Sequence, residues 1–397
     1  MIYRDIPHFI MKNDAQKSDV PFCEVVTKDI LKDIVYKTTG KSEFTCEYVE
    51  KSYQDDFLQK GYNRGRMAIM HFQDEISYIS FSEVEIKSRN SSVQSVPTAF
   101  NIFYLNPFKK KKLYYYFLDF KGKADTNYHI LMYRLMKTIG FTFLNDVESI
   151  GMEIVPFATV EDIMYTRRAN SEKNKGNNST YITVNSANHY DIYGKTYGAS
   201  KYETSLMCYA LCALAQSNYT LTLYEFTEGN LRKLPKPSRD VLKKMGNMNI
   251  ISTGMQLEKK EFIENNSLRS PVYIYNLLNR LGQKHCALCN CEIPELIQGA
   301  HIFPVAKIKK MEHLPFEQRL EYATDGENGL WLCENHHKMF DDGLIHINND
   351  GTVSYRDNLE QRYLNFMNEV TTTRALPKEY LTDSFLRYLQ WRNGVAV

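Results

Sequence analysis

The chain has 397 residues, enough for two or three domains and a sizeable core. Hydrophobic residues at 43%, aromatics at 13% and charged residues at 24% exclude wholesale disorder, a collagen-like fibre and a membrane-embedded protein. A net charge of +2 does not announce a nucleic-acid binder, and eight cysteines are too sparse for a disulfide scaffold, so their distribution carries the information.

The N-terminal stretch MIYRDIPHFIMKNDAQK has acidic residues where a signal peptide needs an apolar core, and no run approaches the ~18 apolar residues of a membrane span. A cytoplasmic protein with no membrane partner is expected, in which Cys and His ligate metal rather than cross-link. Residues 1–165 read as mixed α/β. Strand-like runs at Glu75 to Phe81, Ala99 to Leu105 and Leu113 to Phe120 are rich in β-branched and aromatic types. Helical spacing of Ile130, Leu131, Tyr133, Leu135 and Met136 predicts a helix from Asn127 to Ile139. Ala169 to Thr180 is polar and unpatterned, which predicts an exposed loop.

A strand at Tyr181 to Val184, a helix from Lys201 to Gln216 and a strand at Thr220 to Phe226 follow. Between them, Asp191 to Glu203 reads either as a loop that enters a DNA groove or as a capped turn. Residues 231–260 carry eight Lys/Arg against two acids and read as a basic connector with a local charge of +6. Ser270 followed by Pro271 is a helix start, leading to Leu281 and a stop at Gly282.

The cysteines and histidines crowd into what comes next. Cys286, Cys289, Cys291 and Cys333 lie close together, and six of the ten histidines fall between His285 and His346. Cys286-x-x-Cys289 and Cys333-x-x-His336 present paired ligands that make a Cys3His zinc site. Zinc fingers put about a dozen residues between their pairs. Here the interval is 43 residues, so the zinc pins the ends of something larger. Neither Cys291 nor His285 falls in such a pair, and both are left out of the site.

That interval holds His301, in the strand-like run Ala300-His301-Ile302-Phe303-Pro304, and the order Asn328-Gly329-Leu330, Leu332-Cys333, His337-x-x-x-Asp341-x-Gly343. Over residues 283–347 this resembles the zinc-stapled branch of the HNH nuclease family. The fold expected is α+β: a large mixed α/β N-terminal domain read from its strand and helix patterns, then the small ββα-metal domain with a structural zinc that the resemblance implies, and a helical C-terminal tail. The resemblance implies His301 as general base, Asn328 as the residue that orients it or completes the metal shell, and His337 with Asp341 as ligands of a catalytic Mg²⁺ or Mn²⁺. An imidazole suits proton abstraction near neutral pH, and a mixed imidazole and carboxylate shell with open positions suits a cation that contacts phosphate. Many members place an Asp or His before the catalytic His; this chain has Ala300, and Asp341, rather than Asp342, compensates. A purely structural zinc knuckle is the bland alternative.

The division expected is 1–230 for DNA recognition, 231–269 as basic connector, 270–350 as the nuclease and 351–397 as helices that pack against it or serve a dimer. Lys109, Lys110, Lys111, Lys112, Lys243, Lys244 and Lys307 are candidates for gripping phosphates of double-stranded DNA, although a charge run such as 109–112 is more often a solvated turn. Asp119-x-Lys121 hints at a second nuclease core but has no identifiable companion acid. Gly194-Lys195-Thr196 is no P-loop, because position 189 is His and not Gly. The reading is a homodimeric type II restriction endonuclease. Its alternatives are a modification-dependent or structure-specific nuclease, or a zinc-stapled DNA-binding protein whose nuclease site has decayed.

Overall fold

The computed structural model describes residues 4–13, 22–50, 66–83, 92–118, 127–145, 154–173, 179–226, 233–246, 248–253, 255–264 and 270–394. These divide into two compact units: one of 1–166, 194–221 and 228–249, the other of 167–193, 222–227 and 250–397. No described helix is long and apolar enough to cross a membrane.

The chain opens with β1 (Arg4–Asn13), α1 (Phe22–Val25), α2 (Lys28–Thr39), β2 (Thr45–Glu50), β3 (Arg66–Gln73) and β4 (Glu75–Phe81). Then come α3 (Val96–Leu105), β5 (Lys111–Tyr116), α4 (Asn127–Thr138) and β6 (Thr142–Phe143). The strands form one mixed sheet in the order β2-β1-β3-β4-β5-β6. Helix α2 begins at Thr27, whose hydroxyl accepts from the Ile30 amide. It buries Leu31, Ile34 and Val35, the spacing of one helical face, against Phe9, Ala68, Ile79 and Tyr114.

The segment Ala99 to Leu105, read as a strand, is helix α3. Pro97 sits in its first turn, and Val96 to Asn101 are all buried, so packing all round overrides the strand propensity of the aromatics. Asn101 is part of that interior: its amide donates to Ser238 Oγ at 3.1 Å and accepts from the Tyr209 hydroxyl at 2.7 Å.

Further along are α5 (Val160–Lys173), β7 (Thr180–Ser186), β8 (His189–Lys195), α6 (Ser200–Leu214), β9 (Thr220–Phe226), α7 (Lys236–Met245), β10 (Met248–Thr253) and α8 (Met255–Glu264). The expected loop at Ala169 to Thr180 is corrected at both ends, since Ala169 to Lys173 continue α5 and Thr180 opens β7; residues 174–178 lie outside the described set. The segment from Asp191 starts in strand β8, not in a loop, and only Thr196 to Ala199 remain as the turn into α6. The basic stretch 231–260 carries α7, β10 and α8, with β10 at the edge of a second sheet ordered β10-β9-β8-β7.

The second unit continues with α9 (Pro271–Leu281), β11 (Ile297–His301), α10 (Val305–Lys309), α11 (Phe316–Thr324), β12 (Gly329–Cys333) and α12 (Glu334–Asp341). It ends with β13 (Ile345–Ile347), β14 (Val353–Tyr355), α13 (Gln361–Val370) and α14 (Asp383–Arg392). Helix α9 starts as the sequence predicts, with Ser270 Oγ accepting from the Tyr273 amide at 3.1 Å. Strands β11 and β12 form an antiparallel ribbon in which His301 faces Gly329. A Cβ at Gly329 would come within 2.3 Å of the Tyr273 hydroxyl and 2.7 Å of Leu277 Cδ2, so the glycine lets α9 lie directly on the ribbon. Trp331, Phe340, Ile302 and Leu330 fill the core beneath, joined by Phe385, Tyr388 and Leu389 of α14.

The terminal helices are built into this unit. Thr382 donates to Glu327 at 2.6 Å, and the Tyr388 hydroxyl donates to Asp325 at 2.8 Å. Glu327 also pairs with Arg280 of α9 at 2.7 Å, and that guanidinium donates to the carbonyls of Gly329 and Tyr380.

Candidate metal and catalytic site

Cys333 ends β12 and, in extended conformation, caps α12, so His336 three residues on falls in the first turn on the same side. The Cys286 turn is drawn up to it because the Ala287 amide donates to the Trp331 carbonyl at 2.8 Å. The ligand atoms of Cys286, Cys289, Cys333 and His336 all lie within 4.8 Å of one another. His336 Nδ1 is 3.1 Å from Cys333 Sγ and 3.5 Å from Cys286 Sγ, and Cys289 Sγ is 3.9 Å from Cys333 Sγ. Tetrahedral zinc with its usual bond lengths needs edges of about 3.8 Å between sulfurs and about 3.6 Å from sulfur to nitrogen. The donor set and its spacing fit zinc, and it is the single such group among the described residues.

The cluster's electrostatics agree. The Cys333 thiol is pushed well down, first by its hydrogen bond with Cys286 and then by His336, while Cys286 is pushed up by the same bond and by burial. Thiols that share one proton network this closely are poised to become thiolates around a cation. The other imidazole nitrogen of His336 is 3.1 Å from the hydroxyl of Thr371, which is fully buried. This contact orients the ring with Nδ1 facing the sulfurs. Thr371 is a residue the sequence reading missed.

His301 stands at the end of β11. Its Nε2 donates to the Ala323 carbonyl at 2.9 Å, which leaves Nδ1 as the basic nitrogen. Its ring stacks on Tyr273, with centroids 4.0 Å apart and planes inclined by 11°. Ala300 is fully buried and supplies no ligand.

Asn328 is fully buried as well. Its Oδ1 accepts from the Phe303 amide at 2.7 Å, and its Nδ2 donates to the carbonyls of Phe303 and Tyr322, each at 3.1 Å. The amide thus clamps the backbone just after His301.

On α12, His336, Met339 and Phe340 face inward, and His337 and Asp341 share the adjacent face. His337 Nε2 lies 3.4 Å from Asp341 Oδ2, and Asp341 is about half exposed at 53%, which leaves that carboxylate open to a cation. Asp342 is instead paired with Lys338 at 3.0 Å.

The basic candidates divide. Lys110 pairs with Asp74, Lys112 is 2.9 Å from Glu75, and Lys111 donates to the Asn106 carbonyl, so these three have partners inside the first unit. Lys109 is exposed ahead of β5. Lys243 and Lys244 are exposed in the last turn of α7, opposite its buried Val241 and Leu242. Lys307 is exposed on α10, above the Phe303 ring. Asp119 and Lys121 lie outside the described residues.

A short β-ribbon and a helix, clasped at one end by three thiols and an imidazole that could hold zinc, define a ββα domain. Residues 286–348 match the family described as HNH endonuclease, a span that takes in the zinc ligands, the ribbon and α12. The chain therefore carries an HNH endonuclease domain in its C-terminal part, and with it the general class of nuclease hydrolases. No curated protein matches the chain.

Proposed function

We propose that the protein is a DNA endonuclease in which His301 activates water, within a type II restriction enzyme that reads a specific site on double-stranded DNA. The observation that carries this reading is the setting of His301: one ring nitrogen is tied to the Ala323 carbonyl and the ring lies flat on Tyr273, inside a segment that matches the HNH endonuclease family.

In this reading His301 Nδ1 takes a proton from water as its oxygen bonds to phosphorus, and the ester bond to the leaving oxygen breaks. His337 and Asp341 would hold a divalent cation, Mg²⁺ or Mn²⁺, which would supply positive charge to offset the charge that develops on the phosphate and leaving oxygen. Asn328 acts as a positioning residue, because its amide is committed to the backbone that follows His301. Cys286, Cys289, Cys333 and His336 hold a structural zinc.

Lys307, close after His301, and Lys243 and Lys244 on α7 are proposed phosphate contacts. The first unit is the proposed recognition domain, and cutting both strands calls for two copies of the chain. The test is incubation with methylated and unmethylated plasmid and either Mg²⁺ or Mn²⁺, followed by sequencing of cut ends. Cleavage at a fixed sequence that His301→Ala abolishes while DNA binding persists is the expected result. Cuts only on methylated plasmid would replace the restriction reading with a modification-dependent one, and a parent that cuts nothing would leave a DNA-binding protein.

A further inference from the structure

The family-matched span ends at residue 348, yet a side chain from α14 reaches back into it. Arg392 Nη1 donates to the carbonyl of Ile302 at 2.9 Å, and its Nη2 donates to the carbonyl of Phe340. Its guanidinium also lies over the Phe340 ring, 3.6 Å from the centroid. Ile302 directly follows His301, and Phe340 sits between His337 and Asp341 on α12. One planar group therefore bonds the strand end that carries the proposed base and the helix that carries the proposed cation ligands.

The chemistry of the contact is suited to this task. A guanidinium is a rigid fork, so two carbonyls held on its separate arms are held at a fixed spacing, which a lysine ammonium does not enforce. The group is largely buried, and burial pulls its pKa down while the nearby Asp341 carboxylate holds it up. Taking a guanidinium out of water is costly, so its retention here is compensated by both carbonyls and by the Phe340 ring face.

We infer that Arg392 is a positioning residue of the nuclease site, setting the separation between His301 and the His337–Asp341 pair from outside the family-matched span. The inference rests on the reading of those residues as base and cation ligands, and its consequence is kinetic. Attack requires base and cation to be aligned together, so loss of the alignment falls on the chemical step.

The experiment compares the full-length parent with Arg392→Ala and Arg392→Lys, all confirmed to carry one zinc and a parental circular dichroism spectrum. Arg392→Ala is expected to lower kcat roughly ten- to hundredfold with KM nearly unchanged, and to raise the Mn²⁺ concentration for half-maximal rate. Arg392→Lys should fall between it and the parent. If the alanine variant fails to fold, the lysine variant decides.

Hydrogen exchange on the same proteins reads the staple without any need for cleavage. Faster exchange confined to segments 298–304 and 336–342 is expected. Parental exchange there, or a variant with parental kcat and Mn²⁺ dependence, overturns the inference. A parent that cuts no DNA overturns the nuclease reading instead, and the exchange data alone then judge the staple.

Discussion

Asn328 makes three hydrogen bonds to backbone groups of Phe303 and Tyr322 from a fully buried position. Truncating it to Ala strands those groups in the core, and urea unfolding should report a loss of about 2–4 kcal/mol. Thr371 is a second test at this scale. Thr371→Val keeps the shape but removes the partner of His336 Nε2, so a competing chelator should strip zinc roughly tenfold or more readily. Cys286→Ser should go further and unfold the second unit, because the zinc supplies folding energy there; a folded, zinc-free variant would refute the ligand assignment. The four ligands were legible from sequence because two-residue gaps bring paired donors together locally. Thr371, Tyr273 and Arg392 were not, because each meets its partner only through tertiary packing, and no local spacing announces a bond to a ring nitrogen or a carbonyl.

Helix α9 packs directly on the β11–β12 ribbon. Gly329→Ala would drive a methyl into the Tyr273 hydroxyl and Leu277, and helix and strand would have to part. A loss of about 1–3 kcal/mol in denaturant unfolding is expected, with a matching fall in any nuclease activity as the stack on His301 loosens. Helix α9 itself was readable to the residue, since Ser270, Pro271 and Gly282 punctuate it. Helix α3 was not. Its residues Ala99 to Leu105 carry the aromatic content of a strand, and only the burial of every residue from Val96 to Asn101 settles the question in favour of the helix that Pro97 starts. The turn after Asp191 was misread for a related reason. Gly194 looks like a loop glycine, yet it sits in β8 where a Cβ would meet Thr204 Cγ2 at 2.4 Å.

For the molecule as a whole, the net charge of +2 conceals two kinds of unit with different vulnerabilities. The first has no metal group among its described residues and depends on its sheet. There His8 and His71 face each other across β1 and β3, and both have depressed pKa values, chiefly through burial, with Arg4 adding to each and Glu47 opposing at His8. Because the folded values lie below the ordinary 6.5, the unfolded chain takes up protons first as pH falls. The stability these histidines permit is complete above that value and is lost on acidification toward the folded values. Thermal melts of the first unit should therefore shift down between about pH 7 and pH 5, and His71→Gln should flatten the dependence. The Cys3His group lies in the second unit, and no such group lies among the first unit's described residues, so a chelator should melt the second unit first.

The bond from Arg392 to Ile302 spans 90 residues of sequence. Ribosomes add about 5–20 residues per second, so several seconds separate the emergence of the histidine strand from that of the arginine that ties it to α12. A nascent chain that has already gathered its zinc still lacks this tie. Emergence of the arginine, rather than metal capture, is then the event that would complete the proposed catalytic centre.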